Sequence, residues 1–145
     1  MVDRATFQRW VVPYAQELIR MIHDGGAYAI QHYHGQIRQI LPDFVSMGAD
    51  AVHTIEEPPV GDCPISEAFN IVGDKLGLIG CIQYDCLRSY TTDQMRQAVR
   101  EQVDAYGDKR FMLSPSAGPY EEEPEPQVIE NYLAFLDEGW NYGKR

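Results

Sequence analysis

The chain has 145 residues, which is long enough for one domain with its own core. Its net charge of −10, from 22 acidic and 12 basic residues, repels the phosphates of nucleic acids. No apolar run approaches the roughly 20 residues that span a bilayer, and the three cysteines lack the spacing of a disulfide framework or a CxxC motif. We therefore expect a cytoplasmic protein, with residues 1–145 in a single domain, that binds neither nucleic acid nor membrane.

Helical patterns alternate with short strand patterns along the chain. Residues 3–24 predict two helical segments, because Pro13 is best tolerated in a first helical turn. The later predicted strands are at 27–33, 49–57, 75–82 and 110–116, and the helices that follow them are at 36–48, 64–74, 91–107 and 126–139. Pro42 predicts a break in the helix at 36–48, and Thr91 with Gln94 forms a capping box at the start of the helix at 91–107.

Four successive strand–helix units predict an α/β fold with a parallel sheet and right-handed crossovers. Eight such units in about 250 residues make a TIM (β/α)8 barrel, so four units correspond to half of one. A doubly wound sheet is the competing architecture, although no GxGxxG or GxxxxGK[ST] motif follows any predicted strand.

The segment "HYHG" places two histidines at the carboxyl end of the first predicted strand, where parallel α/β folds carry their sites. His32 and His34 share one face of the strand and can chelate one divalent metal ion, with Cys or carboxylate partners. Glu56, Glu57 and Cys81 end the next two strands and could complete the set, although only one of two adjacent carboxylates can face the site. The alternatives are a packed or loop-bonded histidine, a solvated carboxylate and a buried apolar cysteine.

The order of segments resembles the C-terminal half of the uroporphyrinogen decarboxylase (URO-D) superfamily. The resemblance is carried by "FQRWVVPYAQELIRMIHDGG", "HYHG", "GADAVHTIEE", "LGLIGCI", "YTTDQMRQAVREQVDAYG" and "FMLSPSAGPYEEEPEPQVIENYLAF". It implies that residues 1–145 form a C-terminal half-barrel whose N-terminal half lies outside this chain.

The details resemble the zinc-dependent, corrinoid-linked methyltransferase branch, which has His-x-Cys-Gly at this strand end and a later cysteine. His34 takes the place of the first cysteine, and Ala117 stands where the later one is expected. The resemblance implies a Zn²⁺ ion held by His32 and His34. From their places at neighbouring strand ends, and not from the family's pattern, we expect Cys81 or Glu57 to complete the ligand set, or Glu57 to act as a catalytic carboxylate. The implied substrate is a small molecule or a corrinoid protein, with metal-assisted methyl transfer that involves a corrinoid or a thiol acceptor.

Two other functions stay open at this point. One is a decarboxylase-like lyase of porphyrin biosynthesis that binds a tetrapyrrole without metal, and the other is a degenerate half-barrel used for binding or assembly. We expect the parent protein to be an enzyme and the isolated chain to be inactive. Either the N-terminal half-barrel or a second copy, in a homodimer, would cover its open sheet edges.

Overall fold

The computed structural model describes residues 3–144, which divide into two compact units at residues 79 and 80. The first unit holds α1 (Arg4–Trp10), α2 (Val12–Asp24), β1 (Ile30–His32), a 3₁₀ turn (Arg38–Ile40), α3 (Leu41–Met47), β2 (Ala51–Ile55), α4 (Ile65–Val72), a second 3₁₀ turn (Gly73–Lys75) and the start of β3 (Gly77–Ile82). The second unit holds the end of β3, α5 (Tyr84–Ser89), α6 (Thr92–Tyr106), β4 (Phe111–Pro115) and α7 (Pro126–Tyr142).

The four strands form one parallel sheet in the order β1-β2-β3-β4, with helices between them. The register of the first pair sets Ile30 beside Ala51 and His32 beside His53. Consecutive strands that are neighbours in a parallel sheet and are joined by helices are the repeat of a β/α barrel. The predicted half of a TIM barrel is therefore confirmed.

The first unit packs around aromatic rings contributed by α1, the segment after β1, and α3. Phe7 meets Tyr33 at 5.7 Å and Phe44 at 6.0 Å between ring centroids, both edge to face. Beside this cluster the buried carboxylate of Asp43 accepts hydrogen bonds from Arg4 Nε at 2.9 Å and Gln8 Nε2 at 2.8 Å. These bonds fix α1 on α3 and satisfy a charge that would otherwise be costly to bury.

The second unit packs α5, α6 and α7 around a core of Ile82, Leu87, Met95, Val99, Val128, Ala134 and Phe135. The Asn131 amide is buried in α7 and donates to the carbonyl oxygens of Leu87 at 3.0 Å and Tyr90 at 2.7 Å. It thereby satisfies the carbonyl groups that the end of α5 leaves unpaired.

Local sequence signals located most of the helix starts. Pro13 and Pro42 lie in the first turns of α2 and α3, and Thr91 and Gln94 form the predicted capping box of α6. The first strand is shorter than the predicted span of 27–33. Helix α5 was not predicted, because it has only six residues and the side chain of Gln83, which precedes it, makes no capping hydrogen bond.

Candidate functional site

The two histidines of the "HYHG" segment come together at the carboxyl end of β1. Nε2 of His32 lies 3.0 Å from Nε2 of His34, and their rings meet nearly edge to face at 4.7 Å. The alternation of side chains along an extended segment places both rings on one face, as the sequence predicts. This pair is the centre of the candidate site.

A third imidazole, from His53 on β2, extends the pair. Its Nδ1 lies 2.8 Å from Nδ1 of His32, and the two rings stack at 4.9 Å with an interplanar angle of 25°. Residues directly opposite each other in a parallel pair place their side chains on the same face, and His32 is opposite His53. Sequence reasoning missed His53; aligning the carboxyl ends of the two predicted strands could have found it.

Adjacent carboxylates at the end of β2 diverge to different partners. Glu56 is buried, with its Oε1 3.3 Å from Nδ1 of His34, and its Oε2 accepts a hydrogen bond of 2.6 Å from the Gly35 N–H. Glu57 accepts from the Ile65 N–H at 3.2 Å, at the start of α4. The structure therefore places Glu56 beside the histidines, while the catalytic role predicted for Glu57 stays a prediction.

The loop after β2 closes tightly over the backbone of Glu56. Gly61 is buried there, and a Cβ atom at this position would overlap the Glu56 carbonyl oxygen. Nearby, burial and the acidic side chains of Glu67 and Asp62 raise the pKa of Cys63 to about 11. The Cys63 thiol is therefore neutral near pH 7 and is a structural side chain rather than a nucleophile.

The imidazole arrangement limits how a metal ion could bind. Within residues 3–144, no group of three or more His, Cys, Asp and Glu side chains is gathered as a metal cluster. His32 turns one ring nitrogen toward His34 and the other toward His53, so all three imidazoles cannot converge on one ion. The Nε2 atoms of His32 and His34 lie 3.0 Å apart, closer than the roughly 3.4 Å between two nitrogens that share a tetrahedral Zn²⁺ ion, and the pair would supply two of the four ligands of such a site.

The strand ends of the second unit carry different chemistry. Cys81 is buried in β3, and its thiol donates to Gln102 Oε1 at 3.1 Å. After β4, Ser116 Oγ accepts from the Tyr84 N–H at 2.9 Å, one residue before Ala117. The predicted role of Cys81 as a metal ligand stays a prediction.

A charged cluster joins α5 to the loop after β4. The Tyr84 hydroxyl and the Arg88 guanidinium both donate to the carboxylate of Glu121. The Tyr84 hydrogen bond is the largest cause that lowers the pKa of Glu121, to about 2, and Arg88 adds to it. Arg88 and Glu121 therefore form an ion pair, and the Glu121 carboxylate has a second donor in Tyr84.

Repeating β/α units with polar side chains at the carboxyl ends of parallel strands define a partial barrel of the TIM class. The family model described as "Uroporphyrinogen decarboxylase (URO-D)" matches residues 1–135. The chain belongs to this family. A search of curated proteins found no match.

A solved structure agrees with this assignment at the level of the fold. A "methyltransferase from Methanosarcina mazei" superposes with a TM-score of 0.71 at 17% sequence identity, over 95% of this chain. The chain spans 37% of the length of that protein. In the part of the chain that the structure describes, no helix is both long enough and apolar enough to cross a membrane.

Proposed function

We propose that this chain carries the metal-binding half of a methyltransferase-like member of the URO-D family. In this proposal a methyl group passes between a corrinoid and a thiol acceptor, and the substrate is a small molecule or a corrinoid protein. The observation that carries the proposal is the 3.0 Å approach of the His32 and His34 Nε2 atoms at a strand end. Family membership and the methyltransferase-like fold support it.

The chain's own residues would hold and orient the metal. His32 and His34 would supply two nitrogen ligands, and the buried Glu56 carboxylate fixes the ring of His34. Cys81 is the proposed substitute for a cysteine ligand, and Glu57 the proposed catalytic carboxylate. Bound Zn²⁺ supplies Lewis-acid chemistry that lowers the pKa of an acceptor thiol.

The remaining half of the barrel would come from outside residues 1–145. The N-terminal half-barrel of a longer chain, or a second copy in a homodimer, would pair with the sheet edges and bring further groups to the strand ends. The length of the methyltransferase neighbour, of which this chain spans 37%, favours the longer chain.

Metal analysis of the untagged chain tests the proposal. We expect near-stoichiometric zinc, which the double variant His32→Ala/His34→Ala should lose while it keeps its circular dichroism spectrum. His23→Ala is the matched control, because His23 lies in the same unit but pairs with Asp50 at 2.8 Å. A folded wild-type chain that takes up no zinc would contradict the proposal.

A decarboxylase-like lyase that binds a tetrapyrrole is the second candidate. It is favoured by the contacts among the three imidazoles, since hydrogen-bonded ring nitrogens can move protons without a metal ion. Absorbance titrations of the chain with a corrinoid and with a porphyrinogen separate the two candidates. Binding of the porphyrinogen alone, by a zinc-free chain, would favour the lyase.

A further inference from the structure

Helix α7 carries apolar side chains on two opposite faces. One face is buried in the core of the second unit and includes Val128, Ala134 and Phe135. Four large apolar side chains on the other face stay 45–68% exposed: Ile129, Leu133, Leu136 and Trp140. A helix that is apolar on two faces is expected to be covered on both, so α7 has a contact surface that the second unit does not use.

The four exposed side chains have the spacing of a coiled-coil seam. They follow one another at intervals of four, three and four residues, which places them in one row along the helix. The row is about 16 Å long, because a helix rises about 1.5 Å per residue. We call this row of Ile129, Leu133, Leu136 and Trp140 the α7 seam. Such a seam packs against another helix that has the same spacing.

A second copy of α7, running in the opposite direction, fits the α7 seam. In a two-fold contact the same surface meets itself, so an antiparallel pair centred between Leu133 and Leu136 sets each of these leucines opposite the other. The same register sets Ile129 opposite Trp140. Trp140 also borders an apolar groove whose lining includes Leu113 of β4. The side chain of Ile129 of the partner subunit would therefore lie at the mouth of this groove.

The charges at the two ends of α7 suit the antiparallel arrangement. Glu125 is the residue before the first turn and Lys144 follows the last one, and the same register places them opposite each other. The Lys144 Nζ atom lies 3.7 Å from the centre of the Trp140 ring, so this cation is at the border of the seam. A two-fold contact forms the Glu125–Lys144 pair twice, whereas a parallel arrangement would place like charges together.

The acidic flank of the seam has a cation beside it. Glu130 and Asp137 lie next to the seam, and the antiparallel contact brings Glu130 of the partner subunit near Asp137. The Arg96 guanidinium pairs with Asp137 at 2.8 Å and with Glu138 at 3.1 Å. The approaching carboxylate therefore meets an ion pair rather than a bare acidic side chain, which reduces the repulsion between the two flanks.

Helix α2 of the first unit has an exposed apolar row that lacks this self-complementarity. Tyr14, Leu18 and Met21 are 57–60% exposed and also follow seam spacing. The row has three positions where the α7 seam has four. The Arg20 and Asp24 side chains pair with each other at 2.8 Å within the helix. The row on α2 is therefore a matched comparison for the α7 seam.

We infer that α7 is a self-association surface on which two copies of this chain pair through antiparallel α7 seams, with Glu125 of each copy against Lys144 of the other. The contact uses side chains of the second unit alone. It involves neither a metal ion nor an open sheet edge, so it goes beyond the proposed function and does not depend on it.

Sedimentation velocity of the full chain over a concentration series tests the inference. We expect a reversible monomer–dimer equilibrium. Leu133→Glu should raise its dissociation constant about 10-fold or more, because each copy would bring a carboxylate into the middle of the seam. Leu18→Glu, in the exposed row of α2, is the matched control and should leave the equilibrium unchanged.

Both leucines are exposed, so neither change removes a core side chain, and circular dichroism checks that both variants are folded. A wild-type chain that stays monomeric throughout the series would overturn the inference. So would a dimer that Leu133→Glu leaves intact, or one that Leu18→Glu disrupts as strongly.

An exchange of charges tests the direction of the paired helices. Lys144→Glu sets two carboxylates opposite each other and should weaken the dimer several-fold. The double variant Glu125→Lys/Lys144→Glu restores an opposite pair at the same place and should recover the wild-type dissociation constant. A double variant that dimerises no better than Lys144→Glu alone would rule out the antiparallel register.

Tryptophan fluorescence gives a second readout of the same contact. The chain has two tryptophans, so Trp10→Phe leaves Trp140 as the single reporter. The emission of Trp140 should shift to shorter wavelength as the concentration rises through the dimer transition, because Ile129 of the partner subunit covers a ring that is exposed in the monomer. An emission maximum that does not move while the chain dimerises would show that the dimer uses another surface.

Discussion

The strand ends of the two units show opposite electrostatic designs. In the first unit, His32, His34 and His53 meet through ring nitrogens, and the central contact needs a proton or a cation between two lone pairs. In the second unit, Arg88 and Tyr84 both donate to Glu121, so the donors and the acceptor are already matched. A binding site is expected where ring nitrogens still need a proton or a cation rather than where the donors and the acceptor are already paired, which favours the first unit.

The largest expected effect is the loss of metal binding on removal of His34. Because changes to outer partners cost about 10–100-fold, loss of a ligand itself should weaken zinc binding by about 100-fold or more in His34→Ala. Tyr84→Phe, at a strand end of the second unit, should leave the affinity unchanged. Isothermal titration calorimetry measures both, and equal losses in the two variants would remove the contrast between the units.

The loop beneath the site should be intolerant of a single methyl group. Gly61→Ala places a Cβ against the Glu56 carbonyl oxygen and should lower the free energy of unfolding by about 1–3 kcal/mol. Gly118→Ala is the control in the second unit, because no atom lies within 4 Å of its added Cβ. Urea denaturation measures both variants, and a Gly61→Ala chain as stable as the control would show that the loop can shift.

The buried carboxylate of the first unit should make stability depend on pH. Burial raises the pKa of Asp43, but hydrogen bonds from Arg4 and Gln8 outweigh it and hold the pKa below its ordinary value. A carboxyl group whose pKa is lower in the folded chain than in the unfolded chain stabilises the fold at pH values above its unfolded pKa. This stabilisation is lost as the pH falls through its folded pKa.

We therefore expect protonation of Asp43 below about pH 4 to lower the free energy of unfolding. The loss should be only about 1 kcal/mol, because the partly exposed Arg4 is screened by water. Asp43→Asn should reduce the slope of stability against pH, as measured by urea denaturation between pH 6 and about 2. An unchanged slope would mean that other carboxyl groups dominate acid unfolding.

The smallest effect is expected at the matched cluster of the second unit. Tyr84→Phe should raise the pKa of Glu121 from about 2 toward its ordinary value, because the Tyr84 hydrogen bond is the largest cause of the shift. Arg88→Ala should raise it less. Carbon-13 NMR titration of the glutamate carboxyl groups gives both values, and the reverse order would identify Arg88 as the main partner.

The sequence predicted the elements better than the contacts between them. Helix starts at Thr91 and Pro13 depend on residues a few positions apart, so local patterns are sufficient to find them. Helix α5 was missed because its six residues are too few to show a periodic pattern. For the site, the sequence located His32 and His34 on one face but did not find His53.

The β/α alternation and the shared face of His32 and His34 follow from the sequence, because side-chain periodicity along a strand or helix is a local property. The position of His53 opposite His32 depends instead on strand register, which is fixed by contacts between residues about twenty positions apart. Tertiary contacts also set Glu56, rather than Glu57, toward His34, since Glu56 accepts from the Gly35 N–H while Glu57 accepts from the Ile65 N–H. The candidate site thus has a local centre, and tertiary contacts supply the partners that orient it.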